Sequence, residues 1–229
     1  MYDLFIANKN YSSWSLRPWM LMRQLGIPFN ERIVRFEEDS SREAFRKYSP
    51  SGQVPCLKDG ETMVWESIAI VEYLAERHER VWPADAAARA WARSAAAEMH
   101  SGFSTLRSRC PMSCGVRIRL HEVPPELERD IARLGELWNE GLSRFGGPFL
   151  AGKTVTGVDA LFAPVAFRIQ SYGLILDDAS ASYAARLRDL PSMRSWYEAG
   201  LAETWRPASH ELELADAGTM HEDLRAKPA

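Results

Sequence analysis

Along the first third of the chain, apolar and polar positions change period several times. Tyr2 to Ala7 is a mostly apolar run of strand length, and Ile33-Val34-Arg35-Phe36 lies in a second strand. Between them an apolar segment from Leu16 to Leu25 ends at Gly26-Ile27-Pro28, a helix stop. Arg42 to Tyr48 predicts a short helix. Cys56-Leu57 and Met63-Val64-Trp65 flank Asp59-Gly60, a strong hairpin signal. Ile68, Val71, Leu74 and Ala75 then share one helical face. The order β-α-β-α-β-β-α predicts an α/β unit over residues 1–80.

After a short linker at residues 81–84, the pattern turns helical over 85–229. Asp85 to Arg107 is alanine-rich and free of proline, which predicts one long helix, broken by Cys110-Pro111 and Gly115. Pro124-Pro125-Glu126 opens another, with Leu127, Ile131, Leu134, Trp138 and Leu142 on one stripe, and Gly146-Gly147-Pro148 stops it. A helix begins near Thr156, where Thr156 and Asp159 stand at capping-box spacing. Pro191 opens a last one with Met193, Trp196, Tyr197 and Leu201. The polar tail after Pro207 is expected to be partly ordered at best.

Composition narrows the function. With 229 residues the chain can bury a sizeable core, and its net charge of −3 with no basic run argues against nucleic acid as a partner. Three cysteines cannot all pair, which favours a reducing, cytoplasmic compartment. Met1 to Ala7 lacks a basic leader and does not read as a signal peptide, and no stretch approaches a membrane span.

The residues themselves point to a peptide-like ligand. In Ser51-Gly52-Gln53-Val54-Pro55-Cys56-Leu57 a proline sits in a strand, where it cannot donate to the ladder. If the Val54-Pro55 bond is cis, Val54 turns its own N–H and C=O outward, where an extended peptide can pair with them. The helix start at Glu66-Ser67 offers backbone N–H groups to a carboxylate. Ahead of the first helix, with Ser15 as N-cap and Pro18 at N3, Ser12 and Ser13 lie before its positive end. Serines crowd helix starts for structural reasons, so capping and turning is the first account of all three from spacing alone. Arg17, Arg107, Arg117 and Arg119 would favour an anionic ligand if they face a cleft. The five histidines are scattered, no nucleophilic triad is visible, and Cys110, Cys114 and His121 lack the partners of a zinc site, so no metal is expected.

Together, Ser-Gly-Gln-Val-Pro-Cys-Leu, Glu66-Ser67-Ile68-Ala69-Ile70-Val71-Glu72-Tyr73-Leu74, Gly147-Pro148-Phe149-Leu150-Ala151-Gly152 and the Thr-x-x-Asp box resemble the cytosolic glutathione transferase family. The resemblance implies a thioredoxin-like α/β N-terminal domain plus an all-helical C-terminal domain contributing the electrophile site. It also implies a homodimer, glutathione as co-substrate, a small hydrophobic electrophile, and the conjugation chemistry of detoxification. On the family pattern, Val54 is the residue before the cis-proline, Pro55, and pairs through its backbone with the cysteinyl part of glutathione. Glu66 and Ser67 hold the γ-glutamyl end, and Gln53 lies beside them. Ser12-Ser13-Trp14-Ser15-Leu16-Arg17 is similar to the Ser-Ser-Cys-x-x-Arg string of zeta-class members. On that register Ser12 is the thiolate-stabilising serine, Ser13 is adjacent, and Tyr11 is a rival hydroxyl. Trp14 stands where the cysteine would be, which speaks against a zeta-like cis–trans isomerase and a cysteine-based reductase. A non-catalytic binding module of the same fold is the third reading. Trp14, Met99, Phe103 and Leu106 are candidates to line the electrophile site, unless they merely pack the interface.

Overall fold

The computed structural model describes residues 1–36 and 41–228. A four-stranded sheet is built from β1 (Tyr2–Ile6), β2 (Phe29–Ile33), β3 (Cys56–Asp59) and β4 (Thr62–Trp65), in the order β2-β1-β3-β4. β1 runs parallel to β2, and the other pairings are antiparallel. α1 (Ser13–Leu25) makes the crossover that a parallel pair requires, α2 (Ser41–Arg46) precedes β3, and α3 (Ser67–Ala75) follows β4. Leu4, Ile6 and Leu57 on the strands, with Leu16, Met20, Ile70, Val71 and Leu74 on the helices, are fully buried. This is the thioredoxin-like arrangement expected of the first third.

The rest is mostly helical: α4 (Ala86–Ser101), α5 (Ser104–Arg109), α6 (Pro125–Arg144), α7 (Gly157–Tyr172), α8 (Asp178–Arg188), α9 (Pro191–Ala202) and α10 (Ala208–Ala217). α7 is the hub, buried on nearly every side and packed against α1, α4 and α8. Its first turn is fixed as the Thr-x-x-Asp spacing predicts: the Asp159 carboxylate accepts the Thr156 N–H at 2.8 Å. No helix among the described residues is long and apolar enough to cross a membrane.

Several local expectations are corrected. α1 starts at Ser13, with Ser12 as N-cap rather than Ser15, and Pro18 lies inside the helix. The proline costs one backbone bond, and the burial of Leu16 through Met22 outweighs it. The second strand ends at Ile33, three residues before Phe36. The long helix from Asp85 is two helices, broken where Gly102 leaves helical geometry and Phe103 adopts a left-handed backbone with its ring buried. α8 has no counterpart in the pattern reading. The tail is ordered: β6 (Gly218–Asp223) pairs antiparallel with β5 (Val116–Leu120), adding a two-stranded ribbon to the helical half. Arg225, buried beside this ribbon, holds Glu211 on one side and Asp223 on the other, at 2.7 and 2.8 Å.

Candidate active site

The loop from Asn8 to Ser12 is clamped before it delivers its hydroxyls. Asn10 Oδ1 accepts the N–H groups of Cys114 and Gly115 and the Ser113 hydroxyl. The Glu203 carboxylate accepts the N–H groups of Lys9 and Asn10 at 2.7 and 3.1 Å. Trp196 Nε1 donates to the Lys9 carbonyl at 2.8 Å. The helical half therefore sets the position at which α1 begins.

At that position a cavity of about 930 Å³ opens between the two halves. It is lined on one side by Ser12, Ser13, Trp14, Gln53, Val54, Pro55 and Glu66, and on the other by Arg107, Pro111, Met112 and Arg168. Such a volume takes a tripeptide together with a small second molecule. The Val54-Pro55 bond is cis, and Val54 precedes β3, so its N–H and C=O lie outside the strand ladder. Gln53 is exposed, Val54 half-buried and Pro55 buried. Glu66 lines the cavity with a positive φ of 68° and occupies the N-cap position of α3, where its side chain makes no capping hydrogen bond. Ser67, the first residue of α3, is fully buried behind it, and its hydroxyl accepts Arg17 Nη1 at 3.4 Å.

The three candidate hydroxyls differ in their commitments. Tyr11 donates to Glu211 at 2.7 Å, and burial, followed by that carboxylate, pushes its phenol well up. It is poorly suited to stabilising a second anion. Ser12 is 5% exposed and donates to Ser15 Oγ at 2.7 Å, while Ser15 also accepts the Ala7 N–H. Ser13 is half-buried, lines the cavity, and its hydroxyl has no hydrogen-bond partner among the described residues. The first-turn N–H groups of Trp14 and Ser15 likewise have none there, and no side chain caps the helix. The positive end of α1 thus faces the cavity.

Trp14 is half-buried between two guanidinium groups, Arg17 at 4.1 Å and Arg107 at 5.4 Å from its ring centre, with the His100 ring at its edge. Burial, then the neighbouring Arg168 and Arg107, lower the pKa of Arg17. Of the four arginines singled out in the sequence, only Arg17 and Arg107 come together here. Arg117 and Arg119 sit on β5 against a different groove. Met99, Phe103 and Leu106 do not line the cavity; they are buried in the core. Cys56, Cys110 and Cys114 are free and buried, and burial pushes the Cys110 thiol up to about 12. None is a ready nucleophile.

A family model described as glutathione S-transferase, N-terminal domain, matches residues 11–77. GstB, a glutathione S-transferase of Escherichia coli K12, is 29% identical over 226 residues, covering 90% of this chain and 95% of its own length. The theta-class enzyme of Xanthomonas axonopodis pv. citri, solved with glutathione bound, superimposes with a TM-score of 0.64 at 22% identity, over 86% of this chain and 96% of that one. Residues 11–77 thus match the glutathione S-transferase N-terminal family, and the chain is similar over most of its length to glutathione S-transferases. The dichloromethane dehalogenase of Methylorubrum extorquens is 47% identical over 60 residues, a quarter of this chain. That match spans 21% of the dehalogenase. The family fold, thioredoxin-like then helical, is the one expected from sequence.

The sequence reading missed Arg168, Pro111, Met112 and His210 as cavity residues. Arg168 follows Pro164 inside an apolar helix, and a lone cation in such a run is a signal that was there to be used. Pro111, Met112 and His210 reach the cavity only through packing of distant segments, which no local pattern encodes.

Proposed function

We propose that the protein catalyses transfer of glutathione to a small electrophile, with the thiol activated at the start of α1. The observation that carries this is that Val54, Glu66, Ser12 and Ser13 line one cavity although they come from three separate segments. In this reading the backbone of glutathione pairs with Val54 as an added strand, flanked by Pro55 and Gln53. Its γ-glutamyl carboxylate lies at the N-terminus of α3, beside Glu66 and Ser67. Its sulfur then lies toward Ser12 and Ser13.

Only the thiolate attacks well, and a hydroxyl donor at a helix start lowers the thiol pKa. Ser13 donates to the sulfur. Ser12 holds Ser15 and joins only if its own hydroxyl rotates away. The thiolate forms a carbon–sulfur bond, the carbon–leaving-group bond breaks with its electron pair going to the leaving group, and the thiol proton goes to solvent. No metal or nucleotide takes part. Trp14, packed by two guanidinium groups where a zeta-class member carries a thiol, supports transfer over zeta-like isomerisation. The retained cavity supports an enzyme over a non-catalytic module. The working form is proposed to be a cytoplasmic homodimer, which light scattering would support, whereas a monomer at assay concentrations would refute it.

The experiment is calorimetric titration with glutathione followed by turnover of a panel of alkyl and aryl halides. Saturable binding and chloride release are the expected results. Failure of glutathione to bind would overturn the reading.

A further inference from the structure

We propose that the electrophile end of this cavity holds an anion subsite, built from Arg107 and Arg168, for a co-substrate bearing a carboxylate. The proposal rests on the transferase reading and adds the class of the second substrate.

Both arginines line the cavity from the helical half, Arg107 on α5 and Arg168 on α7. Arg168 is only 4% exposed. Its Nε donates to the Cys110 carbonyl at 2.8 Å, and its Nη1 is buried with no hydrogen-bond partner among the described residues. Arg107 Nη1 donates to the carbonyl oxygens of Met99 and His100 at 3.1 and 3.2 Å. No carboxylate of the described residues lies within 4.0 Å of Arg17, Arg107 or Arg168.

The acids nearest the pair are Asp130, Glu66 and Glu213. Asp130 accepts the Leu106 N–H at 2.9 Å. Glu66 faces His100, at 3.9 Å, on the glutathione side. Glu213 lines the cavity from α10 and forms no ion pair among the described residues, and it lies farther than 4.0 Å from both arginines. Arg42, the other cation on the lining, is exposed and belongs to the opposite wall.

A buried guanidinium with an unmet N–H is costly to keep unless something completes it. Two guanidinium groups on one wall present forked donors suited to a carboxylate. The γ-glutamyl carboxylate of glutathione does not serve, because in the proposed pose the α3 start draws it to the other wall. Trp14 lines the same cavity, so an aromatic body lying beside its edge would carry its carboxylate toward Arg107 and Arg168.

The test uses unreactive probes on the full chain saturated with glutathione. Glutathione binding is read first, and its absence overturns the transferase reading together with this proposal. 4-Methylbenzoate and its neutral counterpart 4-methylbenzamide are then titrated separately. The carboxylate is expected to bind about tenfold to a hundredfold more tightly. Arg168→Gln is expected to bring that ratio near one, while Arg168→Lys keeps part of it. Equal binding of the two probes by the unmodified protein overturns the proposal, and that result needs no variant to fold. A ratio undiminished in folded Arg168→Gln and Arg107→Gln variants overturns it as well.

Discussion

Removing the Ser13 hydroxyl is the perturbation whose size follows most directly from the geometry. Ser12 spends its proton on Ser15 at 2.7 Å, and Tyr11 spends its proton on Glu211 at 2.7 Å, which leaves Ser13 the uncommitted donor on the cavity. A free cysteine thiol has a pKa of about 8.5, so roughly 3% is thiolate at neutral pH. A hydrogen bond to a charged group contributes about 1.5–3 kcal/mol. At about 1.4 kcal/mol per pKa unit, that lowers the thiol to roughly 6.5–7.5. The thiolate share at pH 7 then rises to between ~25% and ~75%, a gain of roughly eightfold to twenty-fivefold. Ser13→Ala is therefore expected to lower kcat/KM by about that factor at pH 7 and by much less once pH exceeds the free thiol pKa. Ser12→Ala is expected to lose less, because Ser15 keeps the Ala7 N–H. The assay is the ultraviolet absorbance of bound thiolate against pH, run alongside the rate. If the titration curve of bound glutathione stays in place in Ser13→Ala and in the double variant with Ser12→Ala, the thiol is activated elsewhere and the reasoning fails.

Two further predictions concern what holds the site in place. Asp159 is fully buried and accepts from Leu150 N–H, Thr156 N–H and the Tyr183 hydroxyl at 3.1, 2.8 and 2.9 Å. Asp159→Asn turns one acceptor into a donor facing a donor, and should destabilise the protein by about 2–4 kcal/mol, read as a lower urea midpoint; an unchanged midpoint would contradict it. Arg225→Met removes the partner of Glu211 and Asp223 and should free α10 and β6, seen as faster amide exchange after residue 208. The hydrogen bonds of Arg225 hold Asp223 low; for Glu211 burial pushes up, and the hydrogen bonds from Arg225 and Tyr11 with the nearby positive charges together bring it below its ordinary value. Both folded-state values are depressed, so this contribution is fully present above the ordinary carboxylate range, about pH 4, and is lost as pH falls through the lower values. The variant should show a shallower acid-induced loss of stability, and a slope equal to that of the unmodified protein would refute the assignment.

What the sequence reading captured and what it missed divide along physical lines. The α/β third was legible because its turns are locally signed: Gly26 ends α1 in a left-handed cap, and Gly60, one residue into the predicted turn, opens the Gly60-Glu61 hairpin loop between the paired Asp59 and Thr62. The Thr156–Asp159 cap was legible for the same reason. The start of α1 was not, because the loop is held by Glu203 and the segment at Ser113–Gly115, residues far along the chain. The break at Gly102-Phe103 was hidden for a similar reason: alanine-rich propensity favours continuation, and the burial of Phe103 against Phe162 overrides it. The ribbon of β5 and β6 pairs segments a hundred residues apart, and short polar strands such as Gly218–Asp223 carry little period of their own. Of the cavity lining, Val54, Pro55, Glu66 and the serines could be read from motif, whereas Pro111, Met112 and His210 entered only through packing.

The most direct measurement is a crystal structure of the protein soaked with glutathione. The account predicts the tripeptide extended along residue 54, exchanging main-chain hydrogen bonds with it, its amino-terminal carboxylate at the α3 start and its sulfur within hydrogen-bond reach of Ser13. Glutathione absent from this groove at saturating concentration, or bound with its sulfur directed away from the α1 start, would contradict it.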